Sequence, residues 1–159
     1  MPDFSSRLRP TGRVAILVSR YNELITSRLL EGALACCQEA GLAREAIDVI
    51  WVPGAFELPV TAAAAAGTGR YSCLVALGAV IRGDTPHFEY VAGEAARGLN
   101  EVALRTGVPV GFGVLTVETL QQAVDRAGGA AGNKGHEAAA AALQAADVIG
   151  QIRESDAQA

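Results

Sequence analysis

Charge is scarce in this chain. Asp, Glu, Lys and Arg make up 19% of its 159 residues, the net charge is −4, and no basic stripe runs through it. Without that electrostatic footprint, nucleic acid is not an expected partner. Aromatic residues number only eight, and no apolar run approaches the ~20 residues of a membrane span, so no membrane is expected either. The opening stretch MPDFSSRLRP lacks the apolar core of a secretory signal and reads as a short polar arm over residues 1–12. Three cysteines, two of them neighbours at Cys36 and Cys37, offer neither a disulfide framework nor zinc-ligand spacing. They read as small buried hydrophobes in a reducing cytoplasm, with no metal site.

What the chain has instead is alanine and glycine, 31 of the first and 18 of the second, within a 50% hydrophobic composition. That length and apolar content fit one ordered domain, over residues 13–159, and exclude intrinsic disorder. With so few large side chains, the core must close by bringing backbones near each other. With so little charge, a monomer lacks a polar skin, and burial against further copies of the chain is one physical answer.

Four nearly continuous apolar runs rich in β-branched residues occur at Val14–Val18, Ile47–Val52, Cys73–Ile81 and Val108–Thr116. Unbroken rather than alternating apolar character marks parallel strands covered on both faces. Helical patterns fill the gaps. Asn22 is suited to cap one ending at Gly41, and another spans Ala55–Ala66. A third starts with Thr85 as cap and Pro86 at the first helical position and ends near Gly107, followed by Thr119–Ala127 and Lys134–Arg153. The alternation implies βαβ units and a parallel sheet. The alanine runs at 62–66 and 138–142 read as thin helix faces for close packing.

In open α/β sheets, ligands bind outside the carboxyl ends of the strands, and the unusual residues gather there. Gly83-Asp84-Thr85 stands before a helix start, either a seat for an anion such as phosphate or an ordinary capped turn. His87, in the first turn of that helix, is either a proton carrier or a solvent-facing histidine. The N–H groups of Gly54, Ala55 and Phe56 are suited to a polyol or carbonyl oxygen, and Glu57 either accepts from hydroxyls or complements the helix dipole. Tyr21 offers a flat face to a planar ring or packs on the surface. Arg126 and Lys134 flank a glycine-rich stretch, a phosphate clamp or a plain inter-helix loop. It does not match the P-loop pattern, and His136 reads as a surface residue. No GxGxxG follows the first strand, which disfavours a dinucleotide site of the usual type.

Together these segments resemble the lumazine synthase family. The likeness is carried by VPGAFELP at 52–59, GAVIRGDTPHFE at 78–89, GFGVLT at 111–116 and the stretch from Arg126 to Gly135, and it runs from about Gly12 to Arg153. It implies a flavodoxin-like three-layer αβα sandwich around a central four-stranded parallel sheet. It also implies a condensation of 5-amino-6-(D-ribitylamino)uracil with 3,4-dihydroxy-2-butanone 4-phosphate, the penultimate step of riboflavin synthesis, without metal or organic cofactor. The amine adds to the ketone to give an imine, phosphate is eliminated, and ring closure with loss of water follows.

The resemblance also implies roles. Tyr21 stands where the family carries an aromatic, often Phe or Trp, that stacks on the pyrimidine. Asn22, Ala55, Phe56 and Glu57 match the ribityl binders, and Val80 and Ile81 match backbone contacts to the pyrimidine. Gly83, Asp84 and Thr85 match the phosphate loop, Arg126 its cationic partner, and His87 the proton shuttle. Phe112, Arg126 and Lys134 match contributions from a neighbouring subunit. The resemblance further implies a homo-oligomeric pentamer. Because Lys134 follows Arg126 by eight positions with no insertion, it implies the kind that packs into a sixty-subunit icosahedral capsid. A shell enclosing a partner such as riboflavin synthase is an addition to that reading. A non-catalytic flavin or lumazine binder is its rival, disfavoured by the presence of both His87 and Arg126.

Overall fold

The structure, a computed structural model, describes all 159 residues. Four parallel strands form one sheet in the order β2-β1-β3-β4: β1 (Arg13–Ser19), β2 (Ile47–Val52), β3 (Tyr71–Ile81) and β4 (Val110–Val117). Helices α1 (Glu23–Glu39), α4 (Leu120–Arg126) and α5 (Lys134–Gln158) cover one face. Helices α2 (Leu58–Gly67) and α3 (His87–Thr106) cover the other. This is the three-layer flavodoxin-like sandwich with a four-stranded parallel sheet.

Strand alternation divides the core in two. Val14, Ile16 and Val18 turn to α1 and α5, while Ala15 and Leu17 turn to α2 and α3. All five are fully buried, which explains why the strand reads as an unbroken apolar run. The alanines close the layers as their spacing requires. Ala62, Ala65 and Ala66 of α2 and Ala138, Ala139, Ala142 and Ala146 of α5 are all in the core. Contact goes as far as backbone on backbone. A Cβ on Gly135 would strike the carbonyl of Leu29 in α1, and one on Gly111 would strike that of Ala138 in α5. Cys36, Cys37 and Cys73 are buried free thiols. No helix is long and apolar enough to cross a membrane.

Several boundaries differ from those the sequence suggests. β3 starts at Tyr71 and β4 runs from Val110 to Val117, because strand pairing, not the apolar run, fixes the ends. The second helix opens with a 3-10 turn, Ala55–Glu57, before α2. A further 3-10 turn, Arg44–Ala46, leads into β2. Pro86 rather than Thr85 holds the cap position of α3. The Thr85 hydroxyl accepts from the His87 N–H only at 3.4 Å. Asn22 holds the cap position of α1, with a left-handed backbone at φ 59, but its side chain makes no capping bond and goes to the Ala79 carbonyl instead. The glycine-rich stretch is not a plain loop. It folds into a small antiparallel hairpin, β5 (Ala127–Gly129) with β6 (Gly132–Asn133), in which Gly128 and Gly132 take positive φ. His136 is half-buried and meets Glu39 at 2.8 Å.

The first twelve residues form no helix or strand. They lie along α5, where the buried carboxylate of Asp147 accepts from the Arg7 N–H at 2.7 Å and from the Arg9 guanidinium. Those bonds, the Arg7 N–H first, hold the Asp147 carboxyl below its usual range.

Candidate active site

The ends of β1 and β2 are tied together. The N–H groups of Arg20 and Tyr21 both donate to the carbonyl of Pro53 at 3.0 Å, which fastens the two loops to each other. The ring of Tyr21 then packs closely against Gly54. A Cβ there would stand 2.8 Å from Tyr21 Cδ2, so the residue must be glycine for the ring to approach this closely. Beyond Gly54 the chain turns into the 3-10 helix, and the N–H groups of Ala55 and Phe56 have no partner within the chain. A cleft of about 400 Å³ opens here, lined by Tyr21, Gly54, Ala55, Phe56, Glu57 and His87. Six of the residues singled out in the sequence are therefore brought to one place. Tyr90 and Val91, one turn along α3 from His87, line it as well.

β3 reaches further than β1. Pairing between them ends at Val18 with Leu77, leaving Gly78–Ile81 without a neighbour on that side. The N–H groups of Leu74 and Arg82 donate to β4-side carbonyls, Pro109 and Val117. Even-numbered residues of β3 therefore present their main-chain groups to β4 and odd-numbered ones present them toward β1. Asn22 Nδ2 donates at 3.0 Å to the carbonyl of Ala79, which lies beyond the last residue of β3 that β1 pairs with. Ile81 has the same parity, and its N–H and C=O find no partner in the chain. Val80 faces β4 and keeps its side chain in the core, so of the two only Ile81 has main-chain groups free at the mouth. Under this floor the buried Ser19 hydroxyl, without a hydrogen-bond partner, lies against Gly78.

The loop Gly83-Asp84-Thr85 is exposed and leads directly into His87 at the start of α3. An anion placed there meets the positive end of a twenty-residue helix. Arg82, at the foot of the loop, is already paired. Its Nε donates to Glu118 at 2.8 Å and its NH1 to Glu89 at 3.3 Å, while its guanidinium stacks 4.4 Å from the centre of the Phe88 ring.

Phe112, Arg126 and Lys134 are not at this mouth. They line a second cleft, of about 360 Å³, at the free edge of β4 with Glu137 among its walls, and the two clefts share no residue. Arg126 closes α4 and donates to its own helix at the Gln122 carbonyl, 3.1 Å away. Lys134 opens α5, whose start is capped by the Asn133 side-chain Oδ1 accepting from the Gly135 and His136 N–H groups. A larger groove of about 420 Å³ lies at the opposite end of the sheet, by Arg9, Gly107 and Arg153, away from all these residues.

Tyr90, Arg82 and Glu137 also stand at these clefts or at the loop before α3 without having been singled out by sequence. Tyr90 had a signal in its three-residue spacing from His87, which puts both on one helical face. Arg82 and Glu137 had none beyond their charge.

Residues 11–149 match the family described as 6,7-dimethyl-8-ribityllumazine synthase. The chain is also 57% identical over 145 residues to the 6,7-dimethyl-8-ribityllumazine synthase of Edwardsiella ictaluri (strain 93-146), a match covering 91% of this chain and 93% of that protein.

Proposed function

The chain belongs to the 6,7-dimethyl-8-ribityllumazine synthase family, and we propose that its active site is assembled from two subunits, the mouth above β1–β3 of one and the β4 edge of the next. The protein is an enzyme of riboflavin biosynthesis. It condenses 5-amino-6-(D-ribitylamino)uracil with 3,4-dihydroxy-2-butanone 4-phosphate and releases phosphate and water. The observation that carries the two-subunit reading is the division of the candidate residues between two clefts with no residue in common.

In this reading the pyrimidine stacks on Tyr21 and takes main-chain bonds from Ile81 beside Val80. The ribityl hydroxyls bond to Asn22, to the free N–H groups of Ala55 and Phe56 beside Gly54, and to Glu57. The phosphate sits on Gly83, Asp84 and Thr85 at the start of α3. From the neighbour come Phe112 to close over the ring, Arg126 to pair with the phosphate, and Lys134 beside it. Holding two substrates in register replaces a bimolecular encounter by an intramolecular one. His87 takes the proton released as amine adds to ketone and returns it as water leaves. Arg126 and the helix start stabilise charge on the departing phosphate.

The assembly is a homo-oligomer, a pentamer that packs further into a sixty-subunit shell, with riboflavin synthase as a candidate cargo. Exposed Leu24, Phe56, Val60, Tyr90, Leu104 and Leu120 support burial against further copies. Three buried cysteines joined in no disulfide suit a cytoplasmic location.

Purified chain mixed with the two substrates should generate lumazine absorbance. His87→Ala should lower turnover roughly 100-fold or more. Arg126→Ala should raise the phosphate substrate's KM by roughly 10- to 100-fold, the worth of a charged hydrogen bond. Unchanged constants in both variants would remove these residues from the reaction. Light scattering that finds only single pentamers across pH and phosphate levels would count against the shell.

A further inference from the structure

We propose that Arg82 is a positioning residue for the reaction: it clamps the loop between β3 and α3, and so sets where His87 and the phosphate seat stand, without touching substrate itself. The inference rests on the site proposed above.

The loop has almost nothing else to hold it. Gly83, Asp84, Thr85 and Pro86 are exposed, and a Cβ built on Gly83 would meet no atom within 4 Å. Its internal hydrogen bonds are the 3.4 Å contact from His87 N–H to Thr85 and the 3.0 Å bond from Glu89 N–H to Pro86. Arg82 spans it from outside. Its main-chain N–H is fixed to the Val117 carbonyl at 2.9 Å, the last residue of β4. Its side chain then reaches both anchors at once: Glu118, just past that strand, and Phe88 with Glu89, the two residues that follow His87 in α3. The rigid sheet is thereby joined to the first turn of the helix across the loop. A guanidinium is suited to this because one planar group offers several fixed donors and a face for the Phe88 ring. A lysine has one charge centre and no plane.

The arrangement also decides charge. With Arg82 engaged by two carboxylates, it is not the cation that meets phosphate, and that task falls to Arg126. Removing Arg82 would leave Glu89 and Glu118 unpaired beside the phosphate loop, so loss of position and added repulsion act on the same substrate.

The test compares Arg82→Lys, Arg82→Met and Glu118→Ala with wild type and with His87→Ala, all as assembled enzyme. Expected are a fall in kcat of tenfold or more for both Arg82 variants and a rise in KM for the phosphate substrate. KM for the pyrimidine and the unfolding midpoint should stay near wild type. Failure of lysine to rescue separates a planar clamp from a mere charge. Glu118→Ala, an exposed position outside the core, should fall the same way by a smaller factor. Should either Arg82 variant fail to fold, Glu118→Ala alone carries the test. If kcat stays within twofold of wild type while His87→Ala is crippled, the clamp is overturned and the site stands. If His87→Ala keeps wild-type turnover, the site itself fails.

Discussion

Asn22 donates its side-chain Nδ2 to the carbonyl oxygen of Ala79 at 3.0 Å, from a backbone held in the left-handed region at φ 59. A carbonyl only accepts, so the amide orientation is fixed and Oδ1 is left without a partner in the chain. The end of β1 is thus fastened to the part of β3 that β1 no longer pairs with. In the proposed site that free acceptor serves a hydroxyl or N–H of the substrate.

Replacing Asn22 separates its two duties. Asn22→Gly keeps the left-handed turn at no steric cost and should fold normally, with KM for the ribitylamino pyrimidine raised by about tenfold. Asn22→Ala should show the same kinetic loss and a further destabilisation of about 1–2 kcal/mol from the positive φ. Denaturant titration beside steady-state kinetics checks both. Wild-type KM in the glycine variant would remove Asn22 from binding.

Gly54→Ala should act on binding rather than folding. The new methyl meets the Tyr21 ring at 2.8 Å, but that residue is 72% exposed and free to swing away. The expected result is an unchanged unfolding midpoint with pyrimidine affinity weakened severalfold, read by titration of the pyrimidine alone. Loss of stability with intact affinity would show that the ring contact is structural.

Gly135→Ala should have the opposite character. Here the obstacle is the Leu29 carbonyl, which cannot step aside without moving α1. Overpacking of this kind costs about 1–3 kcal/mol and sometimes more. The variant should lose stability by at least that much in urea unfolding, or fail to accumulate. A wild-type midpoint would contradict the backbone contact between α1 and α5.

The thiols predict an alkaline limit. Burial pushes Cys36 and Cys37 up to about 11 and Cys73 to about 12, against an ordinary value of 9.0. The folded chain therefore keeps protons that the unfolded chain gives up. Their contribution is fully present below pH ~9 and is lost as pH rises through about 11 for Cys36 and Cys37 and about 12 for Cys73. Urea midpoints should fall across that window. At pH 8 a thiol reagent should label none of the three without denaturant. Rapid labelling of the native enzyme would contradict their burial.

The sheet was legible because strands buried on both faces leave continuous apolar runs, as Val14–Val18 does. The two alanine runs were legible as packing faces because little else fits between closely spaced layers. The hairpin at Ala127–Asn133 was not, since strands of two and three residues carry no period. Asn22 read as a helix cap because its residue type favours that place. Only the β3 overhang, a product of tertiary register, shows why its amide goes to Ala79. The mouth residues were readable from their position after strands. Arg82 was not, because its two carboxylate partners come from elements that meet only in three dimensions.

The division of the site between subunits is tested most directly by mixing two impaired variants at a low concentration of the phosphate substrate. His87→Ala keeps the β4-edge cleft intact, and Arg126→Ala keeps the mouth intact. Co-assembled in equal amounts in a ring, they should form about one quarter of interfaces with both halves wild type, and so recover about one quarter of wild-type activity. Assayed with the phosphate substrate well below its wild-type KM, each variant alone should show at most about a tenth of wild-type activity. No recovery in verified mixed assemblies would contradict the two-subunit site and return His87 and Arg126 to a single chain or to separate roles.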